Sequence, residues 1–137
     1  MMKKQDEYKM QAAFVYAVQM KYKGSVIVFS DTAAHIGKTM QQQLRANKLS
    51  SNFKQPDMTI FAMSEIYGAL LIEWKAKSPY KKNSTELLKN EHIEAQNDCL
   101  NELKARGYAA VFCWDVHTGL QYLEGYLNNK IITQKYE

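Results

Sequence analysis

The sequence predicts an α/β domain in which a mixed central β-sheet is flanked by helices on both faces. The predicted elements run helix, strand, helix, strand, strand, helix, strand, helix, an order typical of α/β folds. Several predicted strands are apolar on both sides, as in sheets covered on both faces. A strand-helix-strand unit near the C-terminus predicts a parallel pair joined by a right-handed crossover.

The N-terminal half contains two predicted helices and one strand. Residues 6–21 are predicted to be helical because apolar side chains recur at intervals of three and four residues. Gly24 ends this helix, and "SVIVFS" at residues 25–30 reads as a short strand. Residues 35–48 again show helical spacing, and the loop after them closes at Pro56.

Two strands follow, in residues 57–63 and 67–76, and the short "SEI" between them predicts a hairpin. Asn83 with Glu86 three residues later offers a capping box for a helix that runs to Arg106. This segment is either one long helix or a short one broken near Asn90. Both alternatives end at Gly107.

The last predicted elements are a buried strand over residues 108–114 and a helix over 115–127 that Asp115 caps. The tail, residues 128–137, is polar, and we expect it to be marginally ordered. The chain of 137 residues is expected to form a single domain, residues 1–137, with a core of about 6–127.

Composition excludes several classes of protein. Charged residues make up 23% and apolar residues 46%, which is typical of a globular domain. Cys99 and Cys113 lack a CxxC partner or a nearby histidine cluster, so we expect buried free thiols rather than disulfides or zinc. No apolar run approaches the length of a membrane span, about 18 residues. We therefore expect a soluble, intracellular protein.

Basic residues exceed acidic ones, 18 to 14, giving a formal charge of +4. This excess is compatible with a polyanionic partner, and equally with a basic surface kept for solubility. The basic residues cluster around two short motifs: Lys38, Arg45, Lys48 and Lys54 precede the first, and Lys75, Lys77, Lys81 and Lys82 follow the second.

The stretch "YGALLIEWKAK" places two opposite charges near the end of an apolar strand. Alternate residues of a strand face opposite sides, so Glu73 and Lys75 share a face with Leu71. An unpaired buried charge would cost several kcal/mol, on the order of the penalty for one desolvated ion. Either the strand emerges into solvent, the two charges pair with other side chains, or they belong to a functional site.

Asp57 begins the strand that pairs with this one. Because the start of one hairpin strand lies beside the end of the other, Asp57 is expected near Glu73 and Lys75. Two carboxylates at that distance repel unless a cation lies between them, and hard divalent ions are bound by such groups. The lysine could then assist attack on a phosphoryl group.

Pro56-Asp57 followed by Glu73-Trp74-Lys75 resembles the signature of the PD-(D/E)XK nuclease superfamily. From about residue 6 to 127 the chain is similar to the VRR-NUC branch, including phage and bacterial stand-alone domains. The residues that carry this similarity are Glu7 and Gln11, the strand Gly68–Lys75, Gln96, Leu103, Gly107 and Tyr108.

The resemblance implies a restriction-endonuclease-like core and a function. It implies an endonuclease that hydrolyses DNA with Mg²⁺ or Mn²⁺, selects branched, junction-like DNA, and acts as a homodimer in the cytoplasm of a bacterium or phage-infected cell. Asp57, Glu73, the Trp74 carbonyl and Glu7 would bind metal. Lys75 would be catalytic, with Glu7 and Gln96 in support.

The alternatives are a catalytically silent nucleic-acid-binding module on the same fold, or an unrelated α/β domain with a chance motif. Gln96 is the one polar member of an apolar helical stripe, so it either serves the site or is a buried amide bonded to backbone. Residues 78–90 form an insertion relative to the family and act either as a basic clamp or as a surface elaboration. Candidate DNA contacts are Lys38, Arg45, Lys54, Lys77, Lys81 and Lys82.

Overall fold

The helices and strands follow one another along the chain in the predicted order. The computed structural model describes residues 2–31, 39–49 and 55–136. The elements are α1 (Met2–Tyr22), β1 (Ile27–Ser30), α2 (Met40–Leu49), β2 (Met58–Phe61), β3 (Leu70–Trp74), α3 (Glu91–Ala105), β4 (Ala109–Cys113) and α4 (Val116–Leu127). α2 begins at Met40, and residues 35–38 of the predicted second helix lie outside the described residues.

The four strands form one mixed sheet in the order β1-β2-β3-β4. β1 and β2 are antiparallel, as are β2 and β3, with Met58 opposite Ile72. β3 and β4 are parallel, with Glu73 beside Phe112. The predicted hairpin and the predicted parallel pairing of β3 with β4 are both confirmed.

One face of the sheet, called here the core face, packs against α1 and α4. Leu70, Ile72 and Trp74 of β3 point into it and are at most 1% exposed. They meet aromatic and aliphatic side chains of the two helices, which include Phe14, Val18, Leu123 and Tyr126. Burial of these large side chains is the main driving force for folding.

The opposite face, called the α3 face, is covered only in part. Leu71 and Phe112 pack there against Ile93 and Leu100 of α3. Over β1 and β2 the same face is open, where Phe29 is 61% and Phe61 47% exposed. The helix therefore covers the half of the sheet formed by β3 and β4.

Of the two alternatives for the helix predicted from Asn83 to Arg106, the shorter one that begins near Asn90 is observed, and residues 83–90 are not helical. Tyr80 pairs with Leu87 in an isolated antiparallel bridge, and Lys81 N–H donates to the Glu86 carbonyl. Asn83 has a positive φ of 55°, which asparagine tolerates in turns but which ends a helix. The capping box predicted at Asn83 is wrong because burial of Tyr80 in the core favours a hairpin-like turn.

α3 begins later, where Asn90 accepts hydrogen bonds from the His92 and Ile93 N–H groups. Gly107, with φ +95°, follows its C-terminus as predicted. Asp115 caps α4, also as predicted, by accepting from His117 N–H.

The C-terminal segment is held more firmly than its polar sequence indicated. The Gln134 amide accepts from Phe112 N–H at 2.8 Å and donates to the Phe112 carbonyl at 2.9 Å. Lys135 N–H donates to the Tyr122 hydroxyl, and the Tyr136 ring packs edge-on against Tyr80 with centroids 4.7 Å apart. The expectation of a marginally ordered tail is wrong, because Gln134 substitutes for a neighbouring strand at the open edge of β4.

Cys99 and Cys113 are free and buried, as predicted. Burial raises the pKa of the Cys113 thiol to about 12. Within the described part of the chain, every helix is too short or too polar to cross a lipid bilayer.

Candidate active site

The register of β2 and β3 brings the two motif carboxylates together at one end of the sheet. Met58 lies opposite Ile72, so the same register places Asp57, one residue earlier, opposite Glu73. Directly opposed residues face the same side with Cβ atoms roughly 5 Å apart. Asp57 Oδ2 also accepts the Trp74 N–H at 3.0 Å, which ties the start of β2 to the end of β3.

Lys75 follows Glu73 on the same face and is held by α3. Its ammonium donates to Gln96 Oε1 at 3.0 Å. Gln96 is 6% exposed. Its two alternatives were a hydrogen bond to the backbone and a contact within the site, and the hydrogen bond with Lys75 is the one observed. The neutral Gln96 amide therefore orients the Lys75 side chain and does not neutralise its positive charge.

α1 reaches the same end of the sheet through Glu7. Ala76 N–H, just beyond β3, donates to Glu7 Oε1 at 3.3 Å. Gln11, one helical turn further along α1, is 5% exposed, and its Nε2 has no hydrogen-bond partner among the described residues. α1, β2, β3 and α3 therefore converge where the strand "LLIEW" ends.

Glu73 is buried, which excludes the alternative that β3 simply emerges into solvent at that point. The residue is 4% exposed. The pKa of the nearby Cys99 thiol is raised by burial and, second, by the negative charge of Glu73. A buried carboxylate next to a second carboxylate favours a compensating cation.

The available ligand atoms suit a hard divalent cation. Asp57 and Glu73 contribute carboxylate oxygens, and Mg²⁺ is commonly bound by one or two carboxylates together with water and substrate phosphate. Across residues 2–31, 39–49 and 55–136, no three His, Cys, Asp or Glu side chains form a group that could hold a metal ion. The ligand role predicted for Glu7 stays a prediction.

The predicted basic contacts fall into three groups. Lys38 and Lys54 lie outside the described residues. Lys81 is paired with Glu86 at 2.9 Å, so part of its charge is already compensated within the 78–90 hairpin. Arg45, Lys77 and Lys82 are exposed and available to a polyanion.

Sequence reasoning did not single out Phe29 and Phe61, whose rings pack edge to face with centroids 5.9 Å apart. Alternation along two short strands indicated which side chains share a face. It did not indicate that α3 would leave their side uncovered. The exposed fraction of such residues depends on helix placement, for which a single strand carries no signal.

Comparison with known proteins identifies the fold. A solved structure described as a VRR_NUC domain protein superimposes with a TM-score of 0.59 over 96% of this chain and 95% of the other. The chain has a VRR_NUC-like fold. Because sequence identity is 18%, the likeness concerns the fold alone. The sequence matches no protein-family model and no curated protein.

Proposed function

We propose that this protein is a divalent-metal-dependent DNA endonuclease that hydrolyses phosphodiester bonds, with branched DNA as its preferred substrate. The observation that carries the proposal is the convergence of Asp57, Glu73 and Lys75 at one end of the sheet, where Asp57 precedes β2, Glu73 and Lys75 lie at the end of β3, and Gln96 of α3 holds the lysine. The fold likeness to a VRR_NUC domain protein supports the same activity.

Asp57 and Glu73 would hold Mg²⁺ or Mn²⁺. The N–H and C=O of one strand residue point to the same neighbouring strand, and the Trp74 N–H points to Asp57. On this strand geometry the Trp74 carbonyl would face the same carboxylate and would supply a third oxygen. When bound, the ion would neutralise the scissile phosphate and increase the acidity of a water.

Lys75 would stabilise the negative charge that develops on the phosphoryl oxygens, or orient the attacking water. The hydrogen bond from its ammonium to Gln96 restricts the rotamers of a flexible side chain. Glu7 would act indirectly, because it fixes the backbone of Ala76 next to the lysine. Stand-alone domains of this family are expected to work as homodimers, which we include in the proposal.

A catalytically silent nucleic-acid-binding module is the second candidate. The lack of a group of three metal-binding side chains within the described ranges favours it. The hydrogen bond between Lys75 and Gln96 favours the enzyme. A surface that only binds phosphate needs exposed basic side chains and does not need a lysine held by a buried amide.

The decisive experiment measures cleavage of supercoiled plasmid, linear duplex and a four-way junction with Mg²⁺, Mn²⁺ or EDTA. Asp57→Asn, Glu73→Gln and Lys75→Met each preserve side-chain size and are expected to reduce cleavage by about 100-fold or more, in the range seen when a transition-state contact is lost. Asparagine at position 57 can still accept the Trp74 N–H, so the fold should be retained.

Lys130→Met serves as a matched control, since this exposed lysine lies beyond α4 and outside the proposed site. It should cleave as the unmodified protein does. Metal-dependent cleavage that survives all three site substitutions would contradict the site assignment. Binding of junction DNA without cleavage under every metal condition would favour the binding module.

A further inference from the structure

Three apolar side chains on the open half of the α3 face form a small exposed patch, called here the aromatic platform. Ile27, Phe29 and Phe61 are 54%, 61% and 47% exposed. Ile27 lies opposite Phe61 in the β1–β2 register, and the two phenyl rings are in edge-to-face contact. The rings are therefore held in place by each other and by the sheet.

The aromatic platform lies on the same face as the candidate metal ligands and close to them. Phe29 is opposite Thr59, and Thr59 is two residues from Asp57 on the same side of β2. Diagonal neighbours of this kind in an antiparallel pair are separated by roughly 7–8 Å. An exposed aromatic residue thus lies roughly 7–8 Å, about the length of one nucleotide, from a carboxylate that is proposed to hold the metal ion.

The size of the platform fits a base better than a protein partner. From their exposed fractions, the three side chains offer on the order of 300 Å², given the 150–250 Å² typical of an aromatic residue. A stable protein interface needs roughly 800 Å² from each partner. A nucleobase needs only one ring face for stacking.

We propose that Phe29, supported by Phe61, is a stacking site for an unpaired nucleobase of the DNA strand that lies across Asp57 and Glu73. This inference rests on the proposed function and deepens it. In a continuous duplex each base is stacked inside the helix and out of reach of a flat sheet surface. Phe29 can be reached by bases at a flap, fork or junction, which provides a physical basis for selection of branched DNA.

The test uses flap DNA that carries 2-aminopurine in the unpaired strand next to the branch point, with EDTA or Ca²⁺ present so that the measurement does not depend on cleavage. Stacking on Phe29 is expected to change the fluorescence of this base on binding. Phe29→Ala should remove that change and weaken flap binding by about fivefold to about 150-fold, since base stacking contributes roughly 1–3 kcal/mol. Affinity for fully paired duplex should not change.

Phe29→Trp keeps an aromatic face and is expected to restore flap binding. Ile131→Ala removes an exposed apolar side chain, 73% exposed, from the segment after α4 and should have no effect. Equal loss of affinity for flap and duplex in Phe29→Ala would overturn the proposal. So would a change from dimer to monomer in sedimentation, which would make the platform a self-interface.

The two proposals fail in different ways. Metal-dependent cleavage with no fluorescence difference between the Phe29 variants would refute the stacking site and leave the nuclease intact. A Phe29-dependent signal without cleavage under any condition would support the stacking site on a binding module.

Discussion

The core face and the α3 face of the central sheet use the same strand for different purposes. On the core face, Leu70, Ile72 and Trp74 of β3 are fully enclosed by α1 and α4. On the α3 face, Leu71 is packed in the same way, but Glu73 and Lys75 interrupt the apolar pattern. Among the described elements, α3 covers that side and leaves the sheet open over β1 and β2.

This difference indicates that apolar burial on the core face stabilises the fold and compensates for the unfavourable features of the α3 face. Burial of a carboxylate beside a second one is unfavourable, and open aromatic side chains lose the free energy of burial. The enclosed core face can compensate for both. Substitutions on the core face should therefore alter stability, and those on the α3 face should alter chemistry.

The largest expected effect is on the core face, at Trp74. Trp74→Ala should lower the free energy of unfolding by about 4 kcal/mol, since removal of a buried aromatic side chain leaves a cavity. Trp74 is 1% exposed, and its ring lies 5.2 Å from that of Phe14. Denaturant unfolding followed by circular dichroism measures the loss.

Trp74→Phe is the control for that experiment. The indole Nε1 has no hydrogen-bond partner within the described part of the chain, so phenylalanine loses volume but no hydrogen bond. It should be clearly more stable than Trp74→Ala. Equal destabilisation by both variants would contradict the packing argument.

Gly119 on α4 tests the same face by adding volume. A Cβ at this position would lie 2.8 Å from Trp74 Cη2 and 3.1 Å from Phe14 Cδ1. Gly119→Ala should therefore destabilise the protein by about 2 kcal/mol, despite the better helix propensity of alanine. The melting temperature by calorimetry provides the measurement.

Gly125→Ala is a matched substitution on the same helix. Its Cβ would meet only the end of the Ile132 side chain, at 3.2 Å, which can move aside. The melting temperature of Gly125→Ala should stay the same or rise. A similar loss at both glycines would argue against close packing at Trp74 as the cause.

On the α3 face, Gln96→Leu should change chemistry more than stability. Leucine fits the apolar stripe but releases the Lys75 ammonium, so cleavage is expected to slow by about tenfold, or about 1.4 kcal/mol in activation free energy. The Kd for junction DNA in Ca²⁺ should be unchanged. Single-turnover kinetics separate the cleavage rate from DNA binding. A fall in melting temperature without a change in cleavage rate would show that Gln96 serves packing alone.

The smallest effect is expected at Asp115, which caps the helix that covers the core face. Asp115→Ala should cost about 1 kcal/mol at pH 7, the typical value for loss of a capping side chain. The pKa of Asp115 is lowered, mainly by the hydrogen bond from the Thr118 hydroxyl. This contribution is therefore fully present above the unfolded carboxyl pKa of about 3.9 and is lost as the pH falls through the lower folded pKa.

Chemical unfolding of Asp115→Ala and the unmodified protein at pH 7 and at pH 3 measures this linkage. The difference between the two proteins should shrink at the lower pH. Asp115→Asn, which retains a capping oxygen without the charge, should lie between them at pH 7. A difference that grows on acidification would contradict the direction of the pKa shift.

Most elements could be predicted because their signals are local. Apolar spacing indicated α1, and glycine and aspartate marked helix ends at Gly107 and Asp115. The helix prediction for residues 83–90 was wrong because its signals were also local, whereas burial of Tyr80 against Phe112 and Trp114 is a tertiary effect that outweighs them. The prediction for the C-terminal tail was wrong for the same reason, since Gln134 is hydrogen-bonded to Phe112 of β4, 22 residues earlier in the chain.

The sequence by itself determined the order of the elements and the pairing of Asp57 with Glu73, because strand alternation and a short hairpin connection leave few registers. The tertiary structure decided that Glu73 is buried, that Gln96 receives Lys75, and that Phe29 and Phe61 remain open. These features depend on where α1 and α3 lie against the sheet. Helix placement results from packing of whole side-chain surfaces, a long-range property that no short stretch of sequence encodes.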